Sequence, residues 1–127
     1  MGESRKYDIT VTVQPQYLED QSDEAAGRYV FAYHIGILNS GSVPAQLLSR
    51  HWIITEAAGS VQEVRGQGVV GEQPQLKPGD SFSYTSGVAL STPVGTMRGS
   101  YQFMAEDGTA FEAEIAEFVL SVPRVLH

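Results

Sequence analysis

Hydrophobic and polar positions alternate along most of this chain. From Lys6 to Gln14, Tyr7, Ile9, Val11 and Val13 share one face, and Asp8, Thr10 and Thr12 share the other. Successive side chains of a strand point to opposite sides, so this is the pattern of a half-buried β-strand. From Tyr29 to Leu38 one face carries Tyr29, Phe31, Tyr33, Ile35 and Ile37, and the other Val30, Ala32, His34, Gly36 and Leu38. Both faces are largely apolar, which predicts a central strand. After a turn at Asn39-Ser40-Gly41, the stretch Gln46–Glu56 predicts another strand. Strict alternation there puts Leu48, Arg50, Trp52 and Ile54 on one side and Leu47, Ser49, His51 and Ile53 on the other. Trp52, the only tryptophan, is expected in the core between two sheets.

The second half continues the pattern. Ala57-Ala58-Gly59-Ser60 predicts a hairpin loop into a strand ending near Gly68. Lys77-Pro78-Gly79-Asp80 is a strong turn, because proline presets φ and glycine supplies a positive one. A strand follows over Phe82–Leu90. Met97, Gly99, Tyr101 and Phe103 alternate in the next, and Asp107-Gly108 signals a hairpin. The last strand opens with Phe111, Ala113 and Ile115 and continues through Phe118 and Leu120. Seven or eight short strands separated by turn signals predict an all-β sandwich. No stretch has convincing helical periodicity. The Cys–Trp–Cys core of true immunoglobulin domains is missing, so a fibronectin type III-like arrangement fits better. Tyr17–Arg28, with Glu19, Asp20, Asp23 and Glu24, is the one long irregular segment.

Composition narrows the function classes. A chain of 127 residues is expected to form a single domain, 1–127, with a core that needs no covalent staple. There are no cysteines, which removes disulfides, thiolate nucleophiles and zinc–thiolate sites. The net charge is −7. The eight basic residues (Arg5, Lys6, Arg28, Arg50, Arg65, Lys77, Arg98, Arg124) form no run, and nucleic acid and anionic lipid both need clustered cations. No apolar run approaches the roughly 20 residues that span a bilayer, and Met1–Asp8 has no stretch of signal-peptide type. A cytoplasmic location without membrane insertion is expected.

Gly66, Gly68 and Gly71 match the dinucleotide-binding pattern G-x-G-x-x-G. That chemistry needs a helix after the glycines, whose N-terminus holds the pyrophosphate. Pro74, Pro78 and Gly79 forbid such a helix here. A glycine-rich loop or bulge between strands is the favoured reading. A nest of backbone N–H groups can still hold an anion without a helix, with Arg65 and Lys77 near enough in sequence to assist. Gly66, Gly68, Gly71, Arg65 and Lys77 are therefore the candidate ligand residues.

No other group of residues signals chemistry. His34, His51 and His127 lack ligand spacing, although His34 and His51 lie on separate strands that could bring them together. Glu19–Glu24 has neither the spacing nor the glycine of a calcium loop. Glu112 and Glu114 fit the outer face of a half-exposed strand. Ser86 is not in a nucleophile elbow. No catalytic residue, metal site or cofactor is expected, and the chain does not read as an enzyme.

Three stretches together resemble one family. They are Leu47–Ile54, with Arg50-His51-Trp52 at its centre, Gly66–Pro74, and Pro78-Gly79-Asp80 running into Tyr84-Thr85-Ser86-Gly87. Met97–Tyr101 and Tyr29–Tyr33 extend the match over nearly the whole chain. The pattern is similar to that of the bacterial ApaG (CorD) family. One departure is Ala116, where the family usually has proline, and it should affect only the geometry of the last strand. The resemblance implies a fibronectin type III-like sandwich, a role linked to cobalt resistance and magnesium efflux, and no established enzymatic activity. Related domains look like protein-interaction modules, and bacterial members often neighbour a diadenosine tetraphosphate hydrolase. Three functions follow as expectations: a non-catalytic interaction domain with a protein partner, a binder of pyrophosphate-containing nucleotides such as diadenosine polyphosphates, and a direct binder of divalent cations.

Overall fold

The structure, a computed structural model, describes residues 5–123; Arg124 and His127 lie outside them. The alternating stretches form seven strands and a short eighth joins them, all paired antiparallel. β1 (Ile9–Tyr17), β2 (Tyr29–Asn39) and β6 (Ser81–Leu90) make one sheet in the order β1-β2-β6. β3 (Ala45–Glu56), β4 (Val61–Gln67), β7 (Val94–Ala105) and β8 (Ala110–Ser121) make the second, in the order β4-β3-β7-β8. The two-residue β5 (Gln75–Leu76), which alternation does not reveal, pairs with the start of β3. The irregular segment after β1 holds two 3-10 turns, Glu19–Gln21 and Glu24–Ala26.

The two sheets pack face to face as a fibronectin type III-like sandwich. β2 is the central strand of its sheet, and Val30 and Ala32 on its second face are buried as well. Its inward residues Phe31, Tyr33, Ile35 and Ile37 meet Leu47, Trp52, Met97, Tyr101, Phe103 and Ile115 of the other sheet. Trp52 is 2% exposed. Its ring makes edge contacts with Tyr33 at 5.4 Å, Phe118 at 5.9 Å and Tyr101 at 6.4 Å. Such tilted arrangements bring ring edges against ring faces and add to the stabilisation from burial alone.

Two bulges correct the expected alternation. In β3, Leu47 pairs with Phe103 and Ser49 with Gln102, so Leu48 is an extra residue. Ala45 and Leu47 point inward before the bulge, and Arg50, Trp52 and Ile54 point inward after it; Leu47 is buried and Leu48 is only half-buried. Leu48 and Trp52 therefore do not share a face. In β8, Ile115 pairs with Gly99 and Phe118 with Met97, leaving Ala116 and Glu117 together opposite Arg98. The inward phase changes there from Phe111, Ala113 and Ile115 to Phe118 and Leu120. A proline is tolerated at a bulge because the ladder is already interrupted, so the departure at Ala116 falls where it disturbs least.

The sandwich is closed on one side and open on the other. β1 and β8 meet along one edge, whereas β4 and β6 do not close over the opposite one. Asn39, 2% exposed, fixes the turn after β2. Its amide donates to the carbonyls of Val43 and Leu76, and its side-chain oxygen accepts from the Gly41 N–H.

Between the sheets, the hydroxyls of Tyr84 and Tyr101 are hydrogen-bonded at 2.5 Å. Burial opposes ionisation of both; the Tyr84 hydroxyl is pushed up to about 12 and that of Tyr101 is also raised. A hydroxyl harder to ionise folded than unfolded stabilises the fold below the ordinary tyrosine value, roughly 10. That contribution is lost as pH rises through the folded-state value. The denaturation midpoint should hold steady approaching pH 10 and then fall towards pH 12. The fall should be shallower in Tyr84→Phe, measured by chemical denaturation at each pH. An equally steep fall in the variant would show that other groups control alkaline unfolding.

Candidate functional site

The open side forms a cleft of about 300 Å³. Its floor is made by Tyr33 of β2 and by Trp52, Ile54 and Met97 of the larger sheet, and its rim by Gln62 and Val64 of β4 and Ser86 to Ala89 of β6. Arg50 also lines it. The bulge at Leu48 directs this guanidinium inward, two residues before Trp52 on the same face. The β3–β4 register sets Arg50 opposite Gly66. Nη1 of Arg50 donates to the carbonyls of Gln67 at 3.1 Å and Gly68 at 2.8 Å. Among the described residues the ion pairs are Arg5–Asp8 and His51–Glu63, so Arg50 has no carboxylate partner. A guanidinium held only by neutral carbonyls has further N–H donors to offer an anionic group.

The glycine motif has a β-sheet explanation. Gly66 is the last-but-one residue of β4, and a Cβ there would lie 2.8 Å from the Arg50 guanidinium. Gly68 has φ +65° and its Cα side faces the Glu72 carbonyl, which leaves no room for a side chain. Val69 and Glu72 exchange N–H to carbonyl bonds of 2.8 and 2.9 Å around a two-residue turn. Val70 and Gly71, the central pair, have φ +44° and +81°, the left-handed combination of a tight hairpin turn. Val69 is fully buried and anchors the turn, while Val70 is exposed at the tip. No helix follows; the chain runs through Pro74 into β5.

The other two predicted residues fall in different places. Arg65 lines a hollow with Ser49, Arg50, Gly66, Gln67, Gln102 and Glu112, so it shares a surface with the first glycine. Lys77 lines a different hollow with Pro44, Pro78, Asp80 and Glu106. A second cation also approaches the glycines, Arg50, which motif spacing did not single out. The signal was in the hairpin: a turn centred on Ala58 places residue 50 opposite residue 66.

The two strand histidines do not meet. His34 lies on the outer face of the smaller sheet, hydrogen-bonded to Thr85 and Gln16. His51 lies on the outer face of the other, 3.3 Å from Glu63. Ser86 points into the cleft with no histidine among its lining residues. Glu112, on the outer face of β8, accepts from the Gln102 amide. In the Glu19–Glu24 segment, Asp23 caps the second 3-10 turn and Glu24 accepts from the Tyr17 hydroxyl. Among the described residues no group of three or more His, Asp or Glu is placed to hold a metal ion, and no buried side-chain polar atom lacks a partner.

Val70 is β-branched and sits in a conformation that costs such residues about 1–2 kcal/mol. Asparagine adopts it with less strain and leads two-residue hairpin turns of this kind. Val70→Asn should therefore raise the unfolding free energy by about 1 kcal/mol, an increase of about 4 °C in Tm. Calorimetry decides the point, and an unchanged or lower Tm would mean that Val70 makes contacts which outweigh its strain.

The ApaG domain model matches residues 19–105. Protein ApaG of Nitrosospira multiformis is 65% identical over 127 residues, the whole of both chains. Protein ApaG of Thiobacillus denitrificans is 62% identical over the same span. A crystal structure of a Bordetella pertussis protein named ApaA superposes with a TM-score of 0.93 at 56% identity, covering 97% of this chain and 100% of that one. The domain model covers more than half of the chain and these relatives cover nearly all of it, and the chain belongs to the ApaG domain family.

Proposed function

We propose that the whole chain, residues 1–127, acts in the cytoplasm as a single non-catalytic interaction domain that binds a protein partner across the open side of its sandwich. The observation that carries this reading is the cleft. It joins an apolar aromatic floor to one guanidinium without a carboxylate partner, flanked by two strand edges that do not close on each other. Aromatic and arginine side chains at a concave surface are the groups that dominate protein recognition. Nothing in the cleft pairs a nucleophile with a base. Cobalt resistance and magnesium efflux, the family association, are then reached through that partner.

Immobilised protein passed over cytosol should retain one partner in stoichiometric amount, and Arg50→Glu should release it. No stoichiometric partner across a range of salt concentrations would overturn the interaction reading.

Pyrophosphate binding at Gly66, Gly68 and Gly71 is the second reading, with Arg50 joining Arg65 as a nearby cation while Lys77 lies in a separate hollow. It is the weaker one, because the amides of Gly68, Val69 and Glu72 already bond to protein carbonyls, and a phosphate nest needs several free N–H groups. Titration of 15N-labelled protein with millimolar diadenosine tetraphosphate should leave the amides of Gly66, Gly68 and Gly71 unmoved. Saturable shifts at all three would reinstate nucleotide binding. Direct cation binding ranks third, since no acidic cluster converges among the described residues.

A further inference from the structure

A sheet edge presents a row of unpaired backbone donors and acceptors, and proteins blunt such edges with prolines, charges, bulges or a covering element. Three of the four edges here are treated that way. β1 contains Pro15 and packs along β8. β8 carries Glu112, Glu114 and Glu117 and the bulge at Ala116–Glu117. β4 is shorter and carries Glu63 and Arg65.

β6 has none of these devices. Its ten residues, Ser81–Leu90, include no charge and no proline, and it pairs with β2 in unbroken register from Ser81 to Leu90. The Asn39 N–H bonds to the Asp80 carbonyl across this ladder, while the Val30 carbonyl on β2 faces β1. Antiparallel pairing alternates, so the backbone groups of Phe82, Tyr84, Ser86 and Val88 engage β2. Those of Ser83, Thr85, Gly87 and Ala89 face the free edge. The cleft lies directly beneath that edge.

We infer that β6 accepts an extended segment of a partner protein as an added strand, laying alternate apolar side chains over the cleft and one carboxylate against Arg50. The inference rests on the interaction reading and names its mode. Backbone pairing supplies the affinity in such complexes, and the alternate side chains supply the specificity. The acidic group follows from charge complementarity, since Arg50 faces the cleft without a carboxylate of its own. A second copy of this chain is a poor occupant. Its β6 offers no carboxylate to Arg50, and two chains of charge −7 repel.

The test uses an acetylated, amidated heptapeptide in which threonine alternates with valine, glutamate and valine, together with its glutamine counterpart. It is followed by amide shifts and hydrogen exchange of the full-length 15N-labelled protein. At millimolar glutamate peptide, exchange of the Ser83, Thr85 and Gly87 amides should slow at least tenfold, and the glutamine peptide should bind about fivefold more weakly. Ser83→Pro removes an edge N–H while leaving the β2 ladder, and should abolish the protection. Should that variant fail to fold by circular dichroism, Ala89→Lys at the same edge provides the block. Unchanged exchange along Ser83–Ala89, or effects confined to β4 or the glycine turn, would overturn strand addition. Equal affinity of the two peptides would overturn the role given to Arg50. Protection of the β6 amides in a dimer without peptide would assign the edge to a second copy instead. If these tests fail while cytosol still yields a stoichiometric partner, the docking mode falls and the interaction reading stands.

Discussion

β3 must serve the core at both of its ends, and a strand of strict period two cannot do so with this sequence. Leu47 and Trp52 are an odd number of residues apart, yet both are buried against the opposite sheet. One unpaired residue, Leu48, reconciles them. It also decides the fate of Arg50, which shares the phase of Trp52. A fully buried guanidinium would carry a large desolvation cost. Here the head group stops at the open edge, half-buried, where two carbonyls accept from it. Gly66 leaves space for it; a Cβ at that position would lie 2.8 Å from the guanidinium, which would have to shift. The bulge, the tryptophan core, the cation in the cleft and the first glycine of the motif are thus consequences of one backbone adjustment.

The remaining glycines answer to the same sheet. Gly68 lets the chain pass close to the Glu72 carbonyl, and Gly71 takes the second left-handed position of a tight turn. A pattern that resembles a phosphate loop therefore arises from a β-hairpin extension. In a phosphate loop the amides point at a ligand; here three of them are closed onto protein carbonyls. The glycines alone do not distinguish the two arrangements. The residues after them do, because Pro74 and Pro78 leave no helix to supply a dipole.

Strands and turns were legible because each half-buried strand displays its period directly, as β1 and β2 do. Alternation failed where a strand changes phase. The switch in β8 was visible in the odd-to-even change from Ile115 to Phe118. The switch in β3 was hidden because Leu47 and Leu48 are both apolar, so either parity looks plausible. β5 was missed since two residues cannot show a period. The site was less legible than the fold. Cleft residues come from β2, β3, β4, β6 and β7, and only the strand order unites them. Nearness in sequence points to Arg65 and Lys77, whereas strand pairing adds Arg50 from sixteen residues upstream of Gly66.

The acidic surface invites a cation-binding interpretation, and strand geometry argues against it. Glu112 and Glu114 lie two apart on the outer face of β8. Residues so spaced in a strand have their backbones about 7 Å apart, while a hard divalent cation needs oxygens converging at about 2.0–2.6 Å. Two carboxylates on one strand reach a common ion only by bending towards each other, and Glu112 is already engaged by Gln102. Glu117 shares a hollow with Glu114, but Arg98 lines it too, and among the described residues no three such ligands converge. The acidic residues are spread as a solvated, self-repelling coat, which suits solubility and steering of partners rather than chelation. Among the described residues, the apolar cleft with its single guanidinium and the uncharged edge of β6 interrupt that coat. The proposed recognition uses this interruption.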